Sequence, residues 1–467
     1  MRVSELQMLV DRLVDAVGPG NVIDDPEALS GASHDSWPVA AKWARQGWHP
    51  YPADVIVRVA SEADVVAVLR VAEETGVPVT TRASGSSVTG QPLPTRRGIV
   101  LDVSGLTGPL QLDEIDMTVT VRAGTNGGEL EDALNRSGWT MRFSPQSLHR
   151  SSVGGWLATL ATGQFSSRYG GIEDLVVGYR VVLATGQVAV LTASPRAAMG
   201  PDLRRVFLGS EGTLGVITQV TLKIVPIPAA QHLEAFRMPD VTAGLAVLRE
   251  QAARGLRPSL LRLYDPDEAR HAMADPAFEG TVLFAGTEGE AEVAAAEMTV
   301  LRRLAVARGA VPLGPEPVAA WLERRFDFSA VENRLATDGG FAETIEVAHT
   351  WRYIEALYAD VRKALEPLAD DVLVHFSHVY TQGTSMYVIV LGQADDDAAA
   401  SARLTDIWAT AMEVCLDHGA ELSHHHGGGL ARSPYARRSL GSAHRVLRRI
   451  KHALDPDGLL NPDKLGL

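Results

Sequence analysis

A chain of 467 residues, 46% of them hydrophobic, can bury two or three cores, which predicts two domains or one large domain with an elaborate second lobe. The net charge of -14 excludes the broad basic face that a nucleic-acid partner requires, and leaves room for one or two cations facing a small anion. Cys415 is the single cysteine, so intrachain disulfides are excluded and a reducing, cytoplasmic setting is expected.

Met1 to Gly18 carries Arg2, Glu5 and Asp11 among apolar residues at helical spacing, which predicts an amphipathic helix rather than a signal peptide. No apolar run approaches the roughly 20 residues of a membrane span. Val55 to Val59 is a β-branched run and reads as a strand; Ser61-Glu62-Ala63-Asp64 caps a helix whose apolar face is Val65, Val68, Leu69 and Ala72. Val77 to Thr81 is the next strand, and Gly98 to Val103 follows as another. Between them, Arg82-Ala83-Ser84-Gly85-Ser86-Ser87-Val88-Thr89-Gly90 is a run of small residues that lets the backbone curl into a nest of N–H groups able to hold a pyrophosphate. The G-x-G-x-x-G spacing and the helix that should open on it are absent, so this is not a Rossmann cradle.

A second unit has Met117 to Arg122 as strand, Asn126 to Ser137 as helix, and a glycine-rich helix start at Ser151 to Trp156. Leu175 to Leu183 and Gln187 to Leu191 flank the turn Ala184-Thr185-Gly186 as a hairpin. From Ala229 onward longer helical stretches dominate, clearest at Ala243 to Arg254, Glu290 to Arg308 and Thr350 to Leu365. Strand candidates Val372 to Phe376 and Met386 to Leu391 lie among them, so the second lobe reads as α+β. There is no internal repeat and no low-complexity linker.

Five segments occur in order: Pro52 to Val55, Thr81 to Gly90, Ser152 to Trp156, Arg168-Tyr169-Gly170-Gly171-Ile172-Glu173-Asp174-Leu175-Val176, and Gly209 to Thr218. Together they resemble the FAD-binding domain of the vanillyl-alcohol oxidase and p-cresol methylhydroxylase superfamily. Ser377-His378-Val379-Tyr380, Tyr387, Ser423-His424-His425-His426-Gly427 and Leu459-Leu460-Asn461-Pro462 are similar to the C-terminal half of the alkylglycerone-phosphate synthase branch. The resemblance covers roughly residues 50 to 467. It implies an α+β protein with a two-subdomain FAD-binding fold and an α+β cap, divided as an N-terminal helical segment (1–48), the FAD domain (49–228), the substrate-binding cap (229–426) and a C-terminal segment returning to the FAD domain (427–467).

In this superfamily four segments wrap FAD. Here they correspond to Thr81, Arg82, Ala83, Ser84, Gly85, Ser86 and Ser87; to Gln146, Ser147, Leu148, His149, Arg150, Ser151 and Ser152; to Thr159, Leu160, Ala161 and Thr162; and to Glu211, Gly212, Thr213, Leu214, Gly215, Val216 and Ile217. Some superfamily members link flavin to a histidine in the first loop, where this chain has Ser86, so non-covalent FAD is expected.

The resemblance implies that Tyr387 acts as acid or base and that His424, His425 and His426 approach the flavin and bind substrate. A phenol with an ordinary pKa of about 10 needs a nearby cation, or the flavin, to serve as a base at neutral pH. On an extended segment, successive rings alternate sides, which would face His424 and His426 one way and His425 the other. His375, His378 and the triple histidine also stand in places comparable to the metal-binding histidines of related 2-hydroxy-acid dehydrogenases. Val379 to Gly383 replaces the acidic glycine loop of those enzymes, so no metal is expected.

Two departures bear on the substrate. An ungapped match back from Glu343-Thr344-Ile345-Glu346 and Trp351 places Glu332 where the synthases carry an anion-contacting arginine; Arg334 is two residues away on another helix face. Phe143 falls where the animal enzymes have an active-site histidine. The leading expectation is an FAD-dependent oxidoreductase moving a hydride from a small organic substrate to flavin N5. An alkyl transferase of the synthase type and a non-catalytic flavin-binding scaffold are the alternatives. Oligomeric state stays open, a homodimer being common for such folds.

Overall fold

The computed structural model describes residues 2–467. Strand Val55–Arg58 runs parallel to Ile99–Asp102, which runs parallel to Val79–Arg82, and the short strand Val22–Ile23 adds an antiparallel edge. Helix Glu62–Thr75 forms the crossover. The Ser61 hydroxyl accepts the N–H of Asp64 at 3.1 Å, the Asp64 carboxylate accepts that of Ser61 at 2.9 Å, and Gly76 ends the helix in the left-handed region. Val65, Val68, Leu69 and Ala72 pack with Val55, Val57, Val79 and Ile99 in one core. Pro78 has no N–H to contribute to a ladder, and the strand expected from Val77 begins at Val79.

A second sheet of five strands has the order Gln111–Asp113, Thr118–Arg122, Val216–Lys223, Val176–Val182, Val188–Leu191, all antiparallel. Val182 and Val216 join the core of the first sheet, fastening the two together. The small-residue loop leaves the end of strand Val79–Arg82, beside the turn that precedes Val216.

The third sheet is the largest and the least visible in sequence. Its seven antiparallel strands run in the order Val311–Gly314, Ala230–Met238, Thr281–Gly289, Leu260–Tyr264, Asp371–Phe376, Gly383–Gln393, Gly340–Thr350. The expected helices are present at Val241–Ala253, Ala291–Ala307 and Ile354–Leu365. The last starts later than Thr350 because Thr350 ends a strand and the next residue, Trp351, donates its backbone N–H to Gln382. Helix Asp397–Asp417 covers one face of this sheet with Leu404, Ile407, Trp408, Ala411 and Met412.

The C-terminus closes the molecule. Val79 donates its N–H to Leu459 at 2.9 Å and accepts that of Asn461 at 2.8 Å, so the last residues lie along the strand that launches the nest. No described helix is long and apolar enough to cross a membrane.

Candidate active site

A cavity of about 880 Å³ runs between the first two sheets and the third. All seven residues from Thr81 to Ser87 line it. Gly85 has φ +66°, a left-handed conformation that favours glycine, and a Cβ there would lie 2.2 Å from the Arg82 guanidinium and oblige it to move. Arg82 is tied to His34 O at 2.7 Å. Gln146, Ser147, Arg150, Ser151 and Ser152 also face the cavity, as do Thr159, Ala161, Thr162, Glu211, Gly212, Gly215, Val216 and Ile217.

Five expected cofactor residues do not. Leu148 and Leu214 are buried in the core of the second sheet, and Leu160 packs against it from a left-handed turn (φ 54°). His149 lies edge-on to Phe326, ring centres 4.9 Å apart, and the Thr213 hydroxyl donates to Ser210 O. These side chains support the loops from behind.

The wall fits a flavin nucleotide. Thr81 Oγ1, Gln91 Oε1 and Asn461 Oδ1 are buried without hydrogen-bond partners, around a rim where Asn461 Nδ2 is already committed to Gln91 O and Glu211 O. Unpaired polar atoms in such a place are costly unless a ligand meets them. The Glu211 carboxylate accepts the N–H groups of Gly428 and Gly429, clipping the C-terminal segment to the nest.

At the other end the third sheet supplies a titratable cluster. Tyr387 stands in register between His375 on one neighbouring strand and Glu346 on the other, while Met386 and Val388 point into the core, as strand alternation requires. His375 stacks on Tyr387 at 4.8 Å. It donates from Nδ1 to the Glu268 carboxylate at 2.8 Å and accepts at Nε2 from Arg262 at 2.7 Å, which fixes its tautomer because a guanidinium can only donate. Burial pushes the Glu268 carboxyl up to about 8 and holds His375 well below the usual imidazole range. Burial likewise raises the Tyr387 phenol, and the cations near it do not reverse this. The condition set for a base role, a cation that favours phenolate, is not met by the protein's own side chains, which leave Tyr387 a phenol able to donate a hydrogen bond.

The histidine run is not an extended strand. Glu346, fully buried, accepts the backbone N–H groups of His424 at 2.9 Å, His425 at 3.4 Å and His426 at 2.6 Å, together with the Ser423 hydroxyl. Three amides curled around one carboxylate cannot alternate. His425 and His426 consequently both line the cavity beside Tyr387, whereas His424 turns behind them to Tyr380, with Nε2 2.7 Å from its hydroxyl. Burial lowers His424 and His425 to about 3 and His426 to about 4, so all three are neutral at physiological pH.

His378, His424 and His425 each bring one nitrogen within 4.8 Å of the others, a metal-like spacing. Hydrogen bonds already engage Nδ1 of His378 with Ser166, both nitrogens of His424, and Nδ1 of His425.

The charged lining includes residues that sequence reasoning missed. Arg325 is buried and donates to Ser144, and its charged neighbours are Arg262 and Arg142; burial and those like charges lower it to about 10. Arg262 and Arg324 face the same space. Arg334 instead donates to Gly392 O, Glu332 pairs with Arg150 at the rim, and Phe143 is buried against Trp156. Arg262 had a signal in sequence, a lone arginine in Leu260-Leu261-Arg262-Leu263-Tyr264; Arg325 had none, since adjacent arginines at a helix end read as solvated charge.

Residues 53–192 match the FAD binding domain family and residues 227–465 the family of FAD linked oxidases, C-terminal domain. Uncharacterized FAD-linked oxidoreductase YgcU of Escherichia coli (strain K12) is 31% identical over 476 residues, covering 97% of each chain. Alkyldihydroxyacetonephosphate synthase of Dictyostelium discoideum is 27% identical over 447 residues, covering 88% of this chain and 73% of that one. The solved structure of p-cresol methylhydroxylase with substrate bound superposes with a TM-score of 0.84 at 16% identity, over 100% of this chain and 98% of the other. With both of its halves matched and a relative similar along nearly its whole length, the chain belongs to the FAD-linked oxidase family, is an FAD-binding flavoprotein, and shares the fold of p-cresol methylhydroxylase.

Proposed function

We propose that the chain is an oxidoreductase that oxidises a small alcohol carrying an anionic group. The observation that carries this reading is the continuity of one cavity from the Thr81–Ser87 nest to Tyr387, His425 and the buried Arg325. The nest and the Ser151–Ser152 turn would hold FAD, which supplies a two-electron acceptor at N5. Tyr387, a neutral phenol, donates to the substrate oxygen, His425 takes up the hydroxyl proton, and His426 orients the same oxygen. Arg325 receives the anion, because its hydrogen bonds go to neutral Ser144 and the charges that bear on it most, Arg262 and Arg142, are cationic, so a carboxylate or phosphate would compensate it.

A second reading, an alkyl transferase working without net redox change, is favoured by similarity to the synthase over most of the chain. The pairing of Glu332 with Arg150 weighs against it, since Glu332 occupies the place of that branch's arginine. Anaerobic mixing with a panel of 2-hydroxy acids and phosphorylated alcohols separates the two. Bleaching of the visible flavin band with a two-electron product supports oxidation; an altered spectrum without net reduction supports transfer.

A further inference from the structure

His424 does not line the cavity, and both its ring nitrogens are hydrogen-bonded. Nε2 lies 2.7 Å from the Tyr380 hydroxyl and Nδ1 lies 2.9 Å from Nδ1 of His425. A neutral imidazole carries one N–H, so a contact between two Nδ1 atoms couples the tautomers of the two rings. If His425 is protonated at Nδ1, then His424 is protonated at Nε2 and donates to the Tyr380 oxygen, and His425 Nε2 is a bare acceptor. If His424 is protonated at Nδ1, it donates to His425, Tyr380 donates to His424, and His425 Nε2 carries a proton. The two arrangements are related by a shift of one proton at each member of the chain, and every member is neutral in both.

We propose that Tyr380, His424 and His425 form a proton relay between the substrate cavity and the protein's outside. A substrate proton bonds to His425 Nε2 as the N–H bond at His425 Nδ1 breaks. That proton bonds to His424 Nδ1, the one on His424 Nε2 passes to the Tyr380 oxygen, and the original Tyr380 hydroxyl proton leaves outward. No electrons are transferred in the relay and no ring holds an extra charge at the end.

The surroundings support concerted passage. Burial makes a lasting imidazolium at His424 or His425 unfavourable, so His425 can accept a proton at one nitrogen only by releasing one at the other. His378 stacks on His424 at 4.8 Å and is anchored by Ser166, which disfavours a second cation. Glu346, Arg432, His375 and His426 face His425, and Glu173 and Asp174 lie near Tyr380. Tyr380 is half-buried, and Glu173 Oε2 is buried without a partner, the kind of group that receives a proton at the outer end. The direction of proton flow rests on the proposed oxidation; the coupling of the tautomers does not.

The test uses FAD-loaded enzyme labelled with ¹⁵N-histidine and needs no substrate. Solvent exchange of the His425 ring proton is measured by magnetic resonance in wild type, Tyr380→Phe and, as a control outside the chain, Ser166→Ala. The expected result is exchange at least about tenfold slower in Tyr380→Phe and unchanged in Ser166→Ala, with FAD content equal in all three. Equal exchange in wild type and Tyr380→Phe overturns the relay, as does stoichiometric zinc in the purified protein with its ring protons replaced by metal. Absence of flavin bleaching by any substrate would instead count against oxidation, with the exchange result still standing.

Discussion

Glu346 and Arg432 meet at 3.1 Å with both side chains almost wholly removed from water, and the amides of His424, His425 and His426 converge on the same carboxylate. The guanidinium also donates to Leu422 O and Gly427 O, at either end of the histidine run, and lies over the Trp408 ring at 4.8 Å. The pair shapes the histidine loop from underneath. A buried ion pair stabilises only when its remaining lone pairs and protons are satisfied, and here they are.

Burial alone would raise Glu346, but the Arg432 guanidinium, joined by the backbone N–H groups of the histidine run, outweighs it and holds the carboxyl at about 2. Its folded pKa is depressed, so the stability it contributes is present above about pH 4.5 and is lost as pH falls toward 2. Glu346→Gln should be less stable at pH 7 by about 3 kcal/mol, in keeping with breaking a buried pair. Urea unfolding of both proteins from pH 7 to pH 3 checks this. The difference should shrink as pH falls, and a gap constant with pH would contradict the assignment.

Tyr387 gives a prediction of opposite character. Since burial raises its phenol, no descending limb from a phenolate should enter the pH–rate profile below about pH 9. Tyr387→Phe should retain FAD and fold while kcat falls by about 10²- to 10⁴-fold, the range for loss of one positioned proton donor. Steady-state rates from pH 6 to pH 10 decide it. A wild-type limb near pH 7 that disappears in the variant would mean that the phenol ionises after all.

The parts of this site legible in sequence are those specified by a short contiguous stretch. Ser84 to Ser87 read as a nest because small residues must follow a strand there, and Ser61 with Asp64 read as a helix start because a cap is local. The rest is built across the chain. Arg325 is one of a pair at a helix end and enters the cavity wall only when folding sets it against Ser144 and Arg262. His424 was expected to share a side with His426; a glutamate about eighty residues earlier overrides that periodicity by gathering the loop amides. Strand Thr281–Gly289, buried on both faces, lacks the alternation that marks a half-exposed strand, and of its sheet only Val372 to Phe376 and Met386 to Leu391 are legible as strands in sequence.

Ser86 leads to a chemical prediction. It lies in the nest where some superfamily members carry a flavin-linking histidine, and its hydroxyl is a poor partner for a stable bond to the ring. Acid precipitation should leave the yellow colour in the supernatant and a colourless pellet. Gly85→Val should weaken FAD retention, because a Cβ would strike the Arg82 guanidinium and φ +66° is strained for a branched residue. Flavin-to-protein absorbance ratios after gel filtration measure that loss; a variant as yellow as wild type would remove the nest from the cofactor site.

Arg325 gives the sharpest test of substrate class. Its hydrogen bonds go to Ser144, while Arg262 and Arg142 press on it with like charge. An anion entering the cavity relieves that repulsion and accepts directed N–H groups in a site poor in water, where a charged hydrogen bond contributes about 1.5–3 kcal/mol. Arg325→Met should therefore weaken binding of oxalate, followed through perturbation of the flavin spectrum, by about 10- to 100-fold with FAD content unchanged. Arg334→Met should leave it unaltered, because that side chain is committed to Gly392 O and does not line the cavity. Equal weakening by both would indicate a general field rather than a receptor, and no effect of Arg325→Met would remove the anionic group from the proposed substrate.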